Sequence, residues 1–258
     1  MKIIKMSYFH FFRIISERSV IFILSCVFLI GLLSTAMRVG LQELGIPLPS
    51  SNTLVFTFQL WSFGAFLYCF FRASGTFDKD ISLKVFSTLI TKPIYFWEYQ
   101  LSQFLGLFFV YIFISLGSIL LILIKALIYK IDFPNLFLLR IICEWIDSGS
   151  MILIIFSLAL VMRKSSAIAV FLGVYILNAI LSQTASSTNI IVQILKEFLY
   201  MITPAHQNLD FDTVSDSSFA DMLQMLLEYI SLILYAGTMM ILSNLYYYKK
   251  DYPLRDHS

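Results

Sequence analysis

Apolar residues in this chain come in runs of about twenty, and that pattern restricts the fold more than any motif does. Such a run is the length of α-helix that crosses about 30 Å of hydrocarbon, where every backbone N–H and C=O must bond within its own segment. Six runs qualify, at 19–37, 53–71, 97–124, 138–162, 165–182 and 225–246. The first is too long for a removable signal, and no small-residue cleavage site follows it before Arg38. With 59% hydrophobic and only 13% charged residues, a soluble domain of this length would lack the polar surface to cover itself. The expected fold is therefore an all-α integral membrane protein with six transmembrane helices in a single domain, 1–258.

Charge orients the spans. Thirteen of the eighteen Lys and Arg fall in 1–18, in the 72–96 loop, at Arg163 and Lys164, and in the tail after 246; the other side keeps Arg38, Lys125, Lys130, Arg140 and Lys196. The excess of basic residues marks the cytoplasmic side, so both termini are expected there. The longest outer connection, 183–224, carries Asp210, Asp212, Asp216 and Asp221 in its second half. Its first half contains a 13-residue apolar run, 190–202, with Gln193, Lys196 and Glu197 on one helical face. That length suits a short re-entrant or interfacial outer helix, which Pro204 ends.

Several classes drop out. A net charge of +2 with no concentrated basic surface argues against nucleic acid as a partner. Cys26, Cys69 and Cys143 all lie in apolar runs, where they act as small hydrophobes. His10, His206 and His257 have no Cys, Asp or Glu at ligand spacing, so no metal site is expected. None of the ten glycines precedes a lysine, which removes a phosphate-cradling loop, and no nucleophile motif, repeated Arg or Gly-rich filter appears. The chain is expected to be non-catalytic, with no cofactor of its own.

Three features remain. Residues 1–18 read as an amphipathic helix lying in the cytoplasmic interface, with Ile4, Tyr8, Phe11, Phe12 and Ile15 on one side and Lys2, Lys5 and Arg13 on the other. It is equally readable as a plain anchor. The loop after the second span repeats Phe77, Ile81, Val85 and Leu89 every fourth residue, which predicts a short amphipathic helix over 77–90. Thr76 suits its N-cap, Asp80 and Lys84 form an acid-first pair, and Pro93 follows its end. Its stripe would dock on a soluble partner or rest on the membrane. Finally, Arg140, Glu144 and Asp147 sit at the start of the fourth run. At the bilayer centre each would cost roughly 2.5–3.5 kcal/mol, so they line an outward-facing part of a substrate path or belong to a loop before the helix starts.

Layout and local sequence together resemble the export-type (type-2) permease subunits of ATP-binding-cassette transporters. The resemblance covers nearly the whole chain. It rests on the interfacial first helix, six spans with both ends inside, and a stretch in which an acidic pair, an apolar helix, a Lys-Pro and an aromatic-Glu precede a Gly one turn into the next span. Here these are Asp78, Asp80, Leu89, Ile90, Lys92, Pro93, Trp97, Glu98 and Gly106. The outer helix ending near Pro204 and His206 and the basic close Lys249, Lys250, Asp251 match as well. The chain departs from the pattern at Lys84, where the family usually has Gly, and at Gln103, where it often has Lys.

The resemblance implies half of an exporter in the cell's inner (cytoplasmic) membrane. Two permease chains, identical or different, would enclose the path, and two copies of a separate cytoplasmic ATPase would consume ATP and Mg. The coupling helix would seat on that ATPase through Phe77, Asp80, Ile81, Val85, Leu89 and Pro93. Trp97 and Glu98 would stand at the cytoplasmic gate, and the acidic 210–221 stretch stays open to an extracytoplasmic partner. A path walled by Phe, Leu and Ile suits lipids, glycolipids, hydrophobic peptides or drug-like molecules. The competing readings are a membrane scaffold without transport and a secondary carrier, although the internal repeats and broken spans frequent in carriers are not seen in the sequence.

Overall fold

The computed structural model describes residues 2–44, 50–82, 95–129, 137–183, 190, 193–194 and 219–249. Among them there are seven long helices and no strand: α1 (Lys2–Ile15), α2 (Arg18–Glu43), α3 (Ser50–Ser82), α4 (Phe96–Tyr129), α5 (Phe137–Val161), α6 (Lys164–Gln183) and α7 (Phe219–Lys249). The six expected apolar runs fall in helices, except that the fourth overruns its helix by Met162. Three helical stretches, Phe96–Leu127, Ile141–Val161 and Leu227–Tyr246, are long and apolar enough to cross a membrane.

Those stretches are apolar nearly all round. On α7 a narrow stripe of Leu232, Ala236, Met240 and Ser243 is buried, while Leu227, Ile233, Leu234, Ile241, Leu242 and Leu245 face outward. A helix in water would be polar on that outer face; here hydrocarbon is the solvent that fits it. The chain has the helices of a membrane-associated protein. Serines enter them without loose hydroxyls by bonding back to a carbonyl one turn earlier, as Ser102 does to Tyr99, Ser118 to Ser115 and Ser157 to Leu153.

The helices divide into two compact units. One comprises Met1–Ala73 with Lys92–Ile152, the other Ser74–Thr91 with Leu153–Ser258. In the first unit, α3 and α4 run antiparallel. Trp61 Nε1 donates to the Ile114 carbonyl at 2.9 Å, and eight residues further along α3 the Cys69 thiol meets the Leu107 carbonyl, seven residues back along α4. The Trp61 ring lies against Gly117 of α4, where a Cβ would stand 3.4 Å from Cζ2, and near Gly31 of α2, where a Cβ would stand 3.9 Å from Cζ3. Helix α5 is antiparallel to α4 in turn. Ile141 packs with Ile122, Trp145 Nε1 donates to Ser115 Oγ at 2.7 Å, and Gly149 lies under the Phe108 ring.

The second unit holds the last turns of α3 against α5. Phe77 is buried with its ring 4.9 Å from that of Phe156, and the Lys164 side chain passes 3.5 Å from where a Gly75 Cβ would be. Two boundaries differ from expectation. No helix starts at Thr76, because α3 continues through it to Ser82. At 33 residues, about 50 Å, α3 is longer than the hydrocarbon is thick. The outer connection is also shorter than expected, since α7 begins at Phe219 and includes Asp221.

Candidate functional site

Helix α1 packs along α4, and the contact is built around one glycine. A Cβ on Gly106 would come 2.7 Å from His10 Cβ, 3.0 Å from the Ser7 carbonyl oxygen and 3.2 Å from the Phe11 backbone nitrogen. Around that point the His10 ring meets Tyr99 edge-on at 5.7 Å and Phe11 meets Phe113 at 6.0 Å. The buried edge of α1 is thus Ser7, His10 and Ile14, while the expected aromatic stripe of Ile4, Tyr8 and Phe12 stays exposed. The Ser7 hydroxyl bonds back to the Ile3 carbonyl, so the polar edge enters the contact satisfied. At the elbow into α2, Glu17 pairs with Arg72 of α3.

The start of α4 carries the residues expected at a cytoplasmic gate. Glu98 Oε2 accepts a hydrogen bond from the Tyr95 backbone N–H at 3.2 Å, the reach-back of a capping box, and as an acid in the first turn it also complements the helix dipole. Glu98 therefore has a local structural task. Trp97 is exposed beside it. Gln103, where the family pattern often has Lys, is buried and donates to the Tyr99 hydroxyl at 2.6 Å. Gln100 is wholly buried with neither amide atom hydrogen-bonded, a position the sequence reading passed over.

Of the expected coupling residues, Phe77 faces inward onto Phe156 and is 3% exposed, which leaves its ring covered by the chain itself. Asp80 and Ile81 belong to the last turn of α3, and their side chains lie outside the described residues. Val85, Leu89 and Pro93 lie outside them too, as do Asp210, Asp212, Asp216, Pro204 and His206. Within 190–202 only Ile190, Gln193 and Ile194 are described, all helical and exposed.

Arg140, Glu144 and Asp147 are in α5, which begins at Phe137. They are helical residues, so the loop alternative does not hold. The Arg140 side chain lies outside the described residues; Glu144 and Asp147 are half-buried. Glu144 is close enough for its charge to act on the Tyr111 hydroxyl, which stands beside Ser148 of α5 and Ser62 of α3. Tyr111 is fully buried, and Ser148 and Ser62 are the hydroxyls that act on its own. Three helices thus bring hydroxyls and a carboxylate together midway along α4, inside an apolar bundle. Such a constellation binds polar groups; it does not by itself break bonds. Glu144 was legible as an unusual charge in a span, whereas Tyr111, Ser62 and Ser148 gave no signal among many apolar-run neighbours.

No protein-family model, no curated protein and no solved structure matches the chain.

Proposed function

We propose that this chain is the membrane subunit of an ATP-driven exporter, a type-2 permease that pairs with a second permease chain and works with two copies of a cytoplasmic ATP-binding-cassette ATPase. In this reading all six apolar runs cross the cell's inner membrane, both termini are cytoplasmic, α1 lies at the cytoplasmic interface, and ATP and Mg are used by the partner. The observation that carries it is the seat of α1 on Gly106. The resemblance singles out a glycine one turn into the span after the coupling stretch and an amphipathic helix at the start of the chain. Here the two are in contact, backbone to backbone. Glu98, a second residue of the same stretch, caps the helix that holds that glycine. The exposed Ile4, Tyr8 and Phe12 with Lys2 and Lys5 on α1 suit acyl chains and anionic headgroups.

Coupling then falls to the segment after the buried Phe77. Movement of the ATPase pair would be passed through 77–90 into α3 and α4, which flank Tyr111 and Glu144 on the substrate path. A variant carrying both Ile81→Asp and Val85→Asp is expected to insert normally and to lose its ATPase on purification. An ATPase retained by that double variant in mild detergent would remove the docking assignment.

A further inference from the structure

We infer that α1 is the edge on which the chain meets the membrane surface: lipid headgroups lie level with Gly106 and Arg72, and the first turns of α4 stand in water beyond them. The two flanks of α1 give the direction. Tyr99 lies two turns before Gly106 on α4 and Phe113 two turns after it, about 10 Å each way. The His10 ring meets Tyr99 and the Phe11 ring meets Phe113, so these neighbouring residues face opposite ends of α4. Ile4, Tyr8 and Ile15 fall on the side of α1 that holds Phe11, and Lys2, Met6 and Arg13 on the side that holds His10. Apolar side chains thus face the end of α4 that carries Phe113, and cations face its start.

Two further observations put the boundary at the same level. Glu98, Gln100 and Gln103 belong to the start of α4, whereas Phe104 to Ile124 contains no acid, base or amide, and Lys125 follows. That stretch makes about 30 Å of helix, one hydrocarbon thickness, although the apolar run in the sequence begins earlier. The second observation is the Glu17–Arg72 pair at the elbow after α1. Cys69 meets the Leu107 carbonyl, so Arg72, one turn further along the antiparallel α3, stands level with Phe104. Both charges are partly exposed, which suits headgroups and would be costly among acyl chains. A headgroup phosphate is then the anion that Lys2 and Arg13 meet. Headgroups add about 5–7 Å to each face, so Trp97, about 10 Å before Phe104, stands beyond them. Its exposed indole and the buried Gln100 amide belong to a stub of α4 outside the membrane.

The inference rests on the membrane placement in the proposed function and not on an ATPase partner. Spin labels on single cysteines of the full-length chain, with Cys26, Cys69 and Cys143 replaced, test it in vesicles of phosphatidylcholine and phosphatidylglycerol. Oxygen concentrates in hydrocarbon and a nickel chelate stays in water, so the ratio of their collision rates with the label reads its depth. Trp97, Phe109, Leu116, Lys2 and Tyr8 are exposed, and each accepts a label without disturbing a packed contact. Oxygen collisions are expected to dominate at Phe109→Cys and most strongly at Leu116→Cys, near the bilayer middle, and nickel collisions at Trp97→Cys. On α1 the ratio is expected to reverse between Tyr8→Cys, where oxygen dominates, and Lys2→Cys, where nickel does. Oxygen dominance at Trp97→Cys, or the same dominance at Tyr8→Cys and Lys2→Cys, overturns the inference and leaves the exporter reading standing. Nickel dominance at Leu116→Cys refutes the membrane placement itself, and the inference with it.

Discussion

In Gly106→Leu, helix α1 comes away from α4. Two of the three atoms nearest a Cβ at 106 are backbone atoms of α1, at 3.0 and 3.2 Å, and the third is a Cβ at 2.7 Å. None can rotate aside, so the whole helix must move. One added methyl in a packed contact costs about 1–3 kcal/mol, and a Leu side chain has no room to relax into. Small residues matter here because helices in lipid gain little from hydrophobicity and associate through close packing. The readout is a cysteine at the buried Ser7, placed in a chain whose Cys26, Cys69 and Cys143 have been replaced. With Gly106 it is closed to maleimide; with Leu at 106 it is labelled rapidly. Gly173→Leu is the control, since a Cβ there meets nothing within 4 Å. Protection of Ser7→Cys that survives Gly106→Leu would refute the seat.

Trp61→Ala is the second large loss. The indole joins three helices, lying against Gly31 and Gly117 and donating to the Ile114 carbonyl. Truncating a buried Trp costs about 3–5 kcal/mol, through lost contacts and the void they leave. Trp61→Phe loses the N–H bond and part of the buried ring while keeping an aromatic side chain in place, so a loss smaller than that of Trp61→Ala is expected from it. Thermal midpoints followed by helical circular dichroism should therefore fall in the order wild type, Trp61→Phe, Trp61→Ala. A wild-type midpoint for Trp61→Ala would mean that α2, α3 and α4 do not meet on this residue.

What the sequence could show of this fold depended on period and length. Runs of twenty apolar residues announce helices because hydrocarbon allows little else, and all six runs are helical but for Met162. Period did not say what a helix face would touch. The apolar side of α1 was read as Ile4, Tyr8, Phe11, Phe12 and Ile15, yet the edge buried on α4 is Ser7, His10 and Ile14, with Ser7 satisfied by its own helix and His10 meeting Tyr99 edge-on. Thr76 read as the N-cap of a new helix over 77–90. Instead α3 runs on, Ser74 buried, Gly75 beside Lys164 and Phe77 covered by Phe156. The charges at Glu144 and Asp147 were visible, but their depth depended on where α5 starts. Tyr111 and Ser62 were hidden because single hydroxyls scattered through apolar runs carry no period that says which of them meet.

The exporter reading stands or falls on a partner. Affinity purification of the tagged chain from its native membranes in mild detergent, with mass spectrometry of the proteins retained, tests it most directly. The expected result is a soluble ATPase of the P-loop type in about equal amount, together with any second permease chain. Recovery of no such ATPase, across several detergents and with a non-hydrolysable ATP analogue present, would contradict the proposed function and return the chain to the scaffold or carrier class.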